Sequence, residues 1–177
     1  GQYEELKNYM SDYQMETGRH SMQYLFCQNM AVNAVISYYA SLAESCHIKM
    51  DFKVIVPQKI SISDVDLSLL FGNLLENAIH ACREVQKEGK EARIEVQIYE
   101  KQQQVFLQIK NSCAGAPIFE NGVPVSKEKG HGIGTRSICA IVERYGGVYT
   151  FSVEKEYFIL RLNLSEKNVD SVHFTAV

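Results

Sequence analysis

The chain holds 177 residues, 46% of them apolar, with a formal charge of −3. That length can bury a sizeable core and favours one domain with room for an appendage, while so slight an acidity excludes the basic surface that sequence-blind nucleic-acid binding needs. The five cysteines (Cys27, Cys46, Cys82, Cys113 and Cys139) are odd in number and scattered, with no Cys-x-x-Cys pair. They argue against a disulfide framework or a structural zinc site and suit a reducing cytoplasm.

Residues 2–16 are polar and helix-prone, with Leu6, Met10 and Tyr13 at helical spacing, and 17–28, holding Gly18, read as a connector. From Ser21 to Ala43 there is no formal charge, yet Gln23, Gln28, Asn29, Asn33, Ser37 and Ser41 interrupt the run. Amides at that density are costly in hydrocarbon, so a buried or amphipathic helix is expected rather than a membrane span. No start resembling a signal peptide precedes it, and a soluble fragment is expected. A helix is predicted over 29–45, where Met30, Ala34, Ile36, Ala40 and Leu42 mark one face. The alternation of Ile48, Met50, Phe52, Val54 and Val56 predicts a strand over 47–56, ended by Pro57.

Ser63 ahead of Asp64-Val65-Asp66 reads as an N-cap followed by acids that favour a helix start, and the helix runs to Lys87, before Gly89. Paired strands follow at 92–100 and 104–110. Residues 112–131, with Gly115, Pro117, Gly122, Pro124 and Gly130, read as loop; within them 114–131 are expected to form a lid that is mobile without nucleotide. A helix over 133–144, the Gly146-Gly147 pair, strands at 148–154 and 157–164 and a tail over 166–177 complete the chain. This order suits a sheet covered on one face by helices.

The helix over 64–87 carries the most informative segment. At about 100° per residue, Leu67, Leu70, Phe71, Leu74, Leu75 and Ala78 form one apolar stripe, while Asn73 and Asn77 stand one turn apart beside it, with His80 close to them. Two asparagines at that spacing either face water or aim carboxamide oxygens at a hard cation such as Mg²⁺, and the helix alone does not decide. A second segment, Lys127-Glu128-Lys129-Gly130-His131-Gly132-Ile133-Gly134-Thr135, sets alternate glycines directly ahead of a helix. It is either a flexible loop or a backbone cradle whose helix N-terminus offers N–H groups to an anion. It is neither a dinucleotide fingerprint, which would follow a first strand, nor a P-loop.

Asn73-Leu-Leu-Glu-Asn77-Ala, Asn111-Ser-Cys-Ala-Gly115 and Gly130-His-Gly132-Ile-Gly134 together resemble the N box and the two glycine boxes of the GHKL ATPase superfamily. Within it the chain is most similar to sensor histidine kinases of the AgrC-like group, over roughly 29–164. The resemblance implies an α/β sandwich of Bergerat type, a mixed sheet with helices on one face, with ATP held between the N-box helix and the loop. It implies Asn77 as the principal Mg²⁺ ligand, with Asn73 supporting metal and phosphates and both counted as catalytic. His80 falls where related kinases often carry a charge near the phosphates. Gly130, Gly132 and Gly134, with Ile133 and Thr135, would bring backbone N–H groups to the phosphates, and Lys127 or Lys129 would meet the terminal phosphate. Asn111 and Gly115 would meet the adenine end. There the sequence departs from the family's Asp-x-Gly-x-Gly, because Asn111 replaces the aspartate and Cys113 the first glycine, so adenine is met without charge assistance.

ATP-hydrolysing relatives carry a glutamate where this chain has Asn73, and an amide is no general base, so the resemblance favours phosphoryl transfer to histidine over hydrolysis. Glu76 is read as a supporting or lid-facing residue. None of His20, His47, His131 and His173 has the context of a phosphoacceptor, which is expected on a helix outside this chain, with 1–28 the remnant of a linker and 29–165 the ATP-binding domain. A response regulator is the implied further partner, and the whole kinase is expected to be a membrane-attached homodimer in a two-component pathway. An anti-sigma-type serine kinase and a non-catalytic nucleotide-sensing module are the alternatives.

Overall fold

In the computed structural model the structure describes residues 25–125 and 132–165. Helix α1 spans Met30–Ser45; Asn29 caps it, its side-chain oxygen accepting from Val32 N at 3.0 Å, and Val32, Ile36 and Ala43 are buried. Strand β1 covers Lys49–Ile55 and keeps the expected alternation, with Met50, Phe52 and Val54 half-buried between exposed neighbours. Helix α2 covers Asp64–Lys87. Ser63 caps it, accepting from Asp66 N at 3.3 Å, and the stripe from Leu67 to Ala78 is buried as its spacing predicts.

Strands β2 (Arg93–Lys101) and β3 (Gln104–Ser112) form a hairpin, helix α3 covers Ile133–Arg144, and β6 (Tyr149–Glu154) and β7 (Tyr157–Ser165) form another. The five-stranded sheet has the order β1-β2-β3-β7-β6. Only β1 and β2 run parallel in it, a pairing that needs a crossover, and α2 supplies that crossover. The helices lie on one face, with α2 in the middle, packed against α1, α3 and β3. On that face Val105, Leu107 and Ile109 of β3 pair in register with Leu164, Leu162 and Leu160 of β7, and all six are buried beneath α2. The α/β sandwich with a mixed sheet and one helical face is therefore the observed fold.

Two expectations are corrected. The stretch 112–131 is not loop throughout: β4 (Ile118–Glu120) and β5 (Val123–Val125) form a hairpin. Its two-residue turn is Asn121-Gly122, with φ of 51° and 79°, and this dipeptide tolerates the left-handed angles of a type I′ turn. Strand β3 also runs on to Ser112, which puts Asn111 inside the sheet on the same face as Ile109. The predicted helix over 2–16, the tail over 166–177 and residues 126–131 of the glycine loop lie outside the described residues. Among the described residues no helix is long and apolar enough to cross a membrane.

Candidate functional site

Small side chains open the sandwich at one place. Ala78 and Ala81 of α2 leave a gap above β3 and β7, and the result is a cavity of about 470 Å³, within the usual range for small-molecule sites. Its floor is apolar: Ile109, Phe158 and Leu160 of the sheet, with Phe151 of β6 beside them. One wall is Cys113–Pro117 together with Pro124 of β5; Thr135 and Ile138 of α3 close the other side.

A buried acceptor stands at the inner end. Asn111 is 2% exposed, and its amide nitrogen donates to the Ser112 carbonyl at 2.9 Å. Its side-chain oxygen accepts no hydrogen bond among the described residues, and the residue lines the largely apolar cavity. Next to it, Cys113 N donates to Glu156 O at 2.9 Å, tying this wall to the β6–β7 turn. Gly115 follows at φ 149°, where only glycine is at ease.

The other end is polar and open. Gly132 stands at the N-cap of α3 with φ 102°, and no side chain among the described residues caps the first amides of the helix. Those N–H groups and the positive end of the helix dipole suit an anion. A methyl group placed on Gly134 would lie 3.0 Å from Asn73 Oδ1 and 3.6 Å from Asn77 Nδ2. Glycine at 134 thus lets the start of α3 come right up to the two asparagines of α2. Asn77 lines the cavity and makes no hydrogen bond among the described residues, whereas Asn73 Nδ2 donates to Leu69 O at 2.8 Å and to Ser137 Oγ at 3.2 Å.

The structure thus brings together Asn73, Asn77, Gly132, Gly134 and Thr135 at one end and Asn111 and Gly115 at the other. His80 is exposed on α2 and does not line the cavity, and Ile133 is 73% exposed. Lys127, Lys129 and Gly130 lie outside the described residues. Burial raises the Tyr39 phenol of α1 to about 12, and the Glu76 carboxylate of α2 adds to that. Sequence reasoning missed Ala78, Ala81 and the apolar floor. Strand alternation names the covered face but not the spot the helices leave uncovered.

Far from the cavity, α3 is anchored at its last turn. Asp66, 8% exposed, accepts from Arg144 Nη1 at 2.7 Å and from Tyr145 Oη at 2.8 Å, and the Tyr145 oxygen in turn accepts from Ser63 N at 3.1 Å. Beyond it, a Cβ on Gly147 would fall 1.9 Å from Asn163 O of β7, so no larger residue fits.

A family model described as GHKL domain matches residues 62–165. No curated protein matches the chain in sequence. Among solved structures it is similar to the nucleotide-free catalytic domain of histidine kinase ThkA, with a TM-score of 0.60 at 16% identity, covering 78% of this chain and 92% of that one. The mycobacterial sensor histidine kinase MprB gives a TM-score of 0.54 at 14% identity, over 78% of this chain and 95% of the other. Histidine kinase AdeS of Acinetobacter baumannii gives 0.56 at 14% identity, over 94% of this chain and 81% of the other. At such identities the likeness is one of fold.

Proposed function

The chain belongs to the GHKL domain family, and from that premise we propose that it is the ATP-binding catalytic domain of a sensor histidine kinase, which passes the terminal phosphoryl group of ATP to a histidine outside it. The observation that carries this reading is the meeting of Asn73 and Asn77 with Gly134 at the uncapped start of α3, at the mouth of an apolar cavity.

The base would lie between the floor of Ile109 and Leu160 and the small roof of Ala78 and Ala81, with the Asn111 oxygen accepting from its amino group. Its phosphates would reach the backbone N–H groups at the start of α3. The carboxamide oxygens of Asn73 and Asn77 fit a hard cation, and no group of three or more His, Cys, Asp and Glu among the described residues offers a competing all-protein cage. Asn73 and Asn77 would hold Mg²⁺, which would supply positive charge to offset that of the phosphates. Neither asparagine takes a proton from water, so this end orients and stabilises but does not activate hydrolysis. Transfer then waits for an imidazole delivered in line, and positioning together with charge stabilisation supplies most of what the reaction needs. Lys127 or Lys129 would meet the terminal phosphate. The acceptor helix and a response regulator complete the proposed pathway, with the whole kinase a membrane-attached homodimer.

Calorimetry with ATP, with and without Mg²⁺, tests the first half; no heat at millimolar nucleotide removes the reading. Radiolabelled ATP tests the second, with the fragment alone and with its upstream histidine helix added. Acid-labile label on the added helix is the expected result. Acid-labile label on the fragment alone, lost in His20→Gln, would put the acceptor inside this chain, and acid-stable label on a protein serine would favour the anti-sigma-type alternative.

A further inference from the structure

We propose that Ser137, on the second turn of α3, is a positioning residue that holds the Asn73 amide in the orientation the Leu69 carbonyl dictates, with its oxygen toward the phosphate end of the site; this rests on the functional reading above. A carboxamide has two N–H groups and one oxygen. The Leu69 carbonyl, 2.8 Å away, can only accept, so the nitrogen must face it. The second N–H goes to Ser137 Oγ at 3.2 Å, across to the neighbouring helix. With both donors taken, the oxygen is the one atom left to turn toward the start of α3, and the 3.0 Å distance from Asn73 Oδ1 to a Cβ position on Gly134 records that direction.

Rotating the amide by half a turn would set its oxygen against the Leu69 carbonyl, two acceptors face to face. Asn77, one turn on and without a hydrogen bond among the described residues, has no such restraint. Asn73 therefore presents its oxygen already oriented, while Asn77 must be ordered when ligand arrives. A ligand oxygen held in place beforehand binds a cation with less loss of freedom. Ser137 touches neither phosphate nor metal in this scheme; it acts through Asn73.

The test compares S137A, which removes the hydroxyl, with S137T, which keeps one, and places each against N73A. We expect S137A to leave thermal stability and Mg²⁺-free nucleotide affinity near wild type and to lower Mg²⁺-dependent ATP affinity by about three- to tenfold. S137T should restore most of it, and S137A should add nothing in the N73A background. Nuclear magnetic resonance of ¹⁵N-labelled protein reads the geometry without nucleotide: one Asn73 side-chain proton should lose protection in S137A and regain it in S137T. An S137A protein equal to wild type in Mg²⁺-dependent affinity, or one equally weakened without Mg²⁺ or in the N73A background, would overturn the assignment. If the wild-type protein shows no Mg²⁺-dependent binding, the functional reading fails and the role toward a metal falls with it. The side-chain protons still decide whether Ser137 orients Asn73.

Discussion

The two ends of α3 are built in opposite ways. Its C-terminus is tied down by side chains: Asp66 takes the Arg144 and Tyr145 donors, Tyr145 takes Ser63 N, and Gly147 lets the chain turn against Asn163 of β7. At its N-terminus the cap is Gly132, which offers no side chain, and no side chain among the described residues caps the first amides. A helix of this length, Ile133–Arg144, is marginal by itself. One end is therefore fastened so that the other can stay chemically unfinished.

The largest effect is expected from Gly147→Ala at the fastened end, because the new carbon meets a backbone oxygen that has no room to retreat. A loss of about 3–5 kcal/mol in chemical denaturation is expected, and a wild-type midpoint would mean that β7 yields easily. Asp66→Ala comes next. Arg144 is 61% exposed and contributes little through screened charge, so a loss of about 2–3 kcal/mol should come from the orphaned Tyr145 donor and the missing acceptor.

Alkaline pH attacks the same end without mutation. Burial raises the Tyr145 phenol, and its bond to Asp66 adds to that, while the Ser63 amide works the other way. A raised pKa means that the stability is present in full below the ordinary phenol value and lost as pH rises through the folded one. Melting temperature should thus fall above about pH 10 in the wild type, and less steeply in Tyr145→Phe. Equal slopes would show that this phenol contributes nothing to the anchor.

At the unfinished end the effects should move from stability to binding. Gly132→Ala puts a side chain at φ 102° and should cost about 1–2 kcal/mol of stability, with a loss of nucleotide affinity greater than that of Asp66→Ala. The smallest stability change is expected for Asn77→Ala, within about 0.5 kcal/mol, because nothing described bonds to that side chain. It should nevertheless weaken Mg²⁺-nucleotide binding more than Glu76→Ala does. The opposite order, read by calorimetry, would overturn the metal assignment.

Much of the frame was legible because its signals are local. The stripe from Leu67 to Ala78, the Ser63 cap and the alternation in β1, β2 and β3 depend on neighbours three, four or two positions away. The hairpin of β4 and β5 has a local signal as well, the Asn121-Gly122 turn, which the loop reading of 112–131 passed over. The anchor was not legible, since Tyr145 and Asp66 are 79 positions apart and nothing near either names the other. Nor was the bond from Asn73 to Ser137, across 64 positions. Asn73 and Asn77 stood out by spacing, yet only packing shows that Asn73 is tied while Asn77 makes no hydrogen bond among the described residues.

The order of the sheet bears on how the chain is made. Strand β3 gains its first neighbour at once, through the tight turn at Gln102 and Gln103 (φ 54° and 60°). Its other neighbour is β7, Tyr157–Ser165, the last strand of the sheet along the chain. During synthesis the apolar face of Val105, Leu107 and Ile109 therefore waits beside an unpaired edge, the state in which chains pair with each other. Shortening the protein from the β7 side should yield aggregate, whereas β1, already an outer strand, can be lost with far less exposure of the centre.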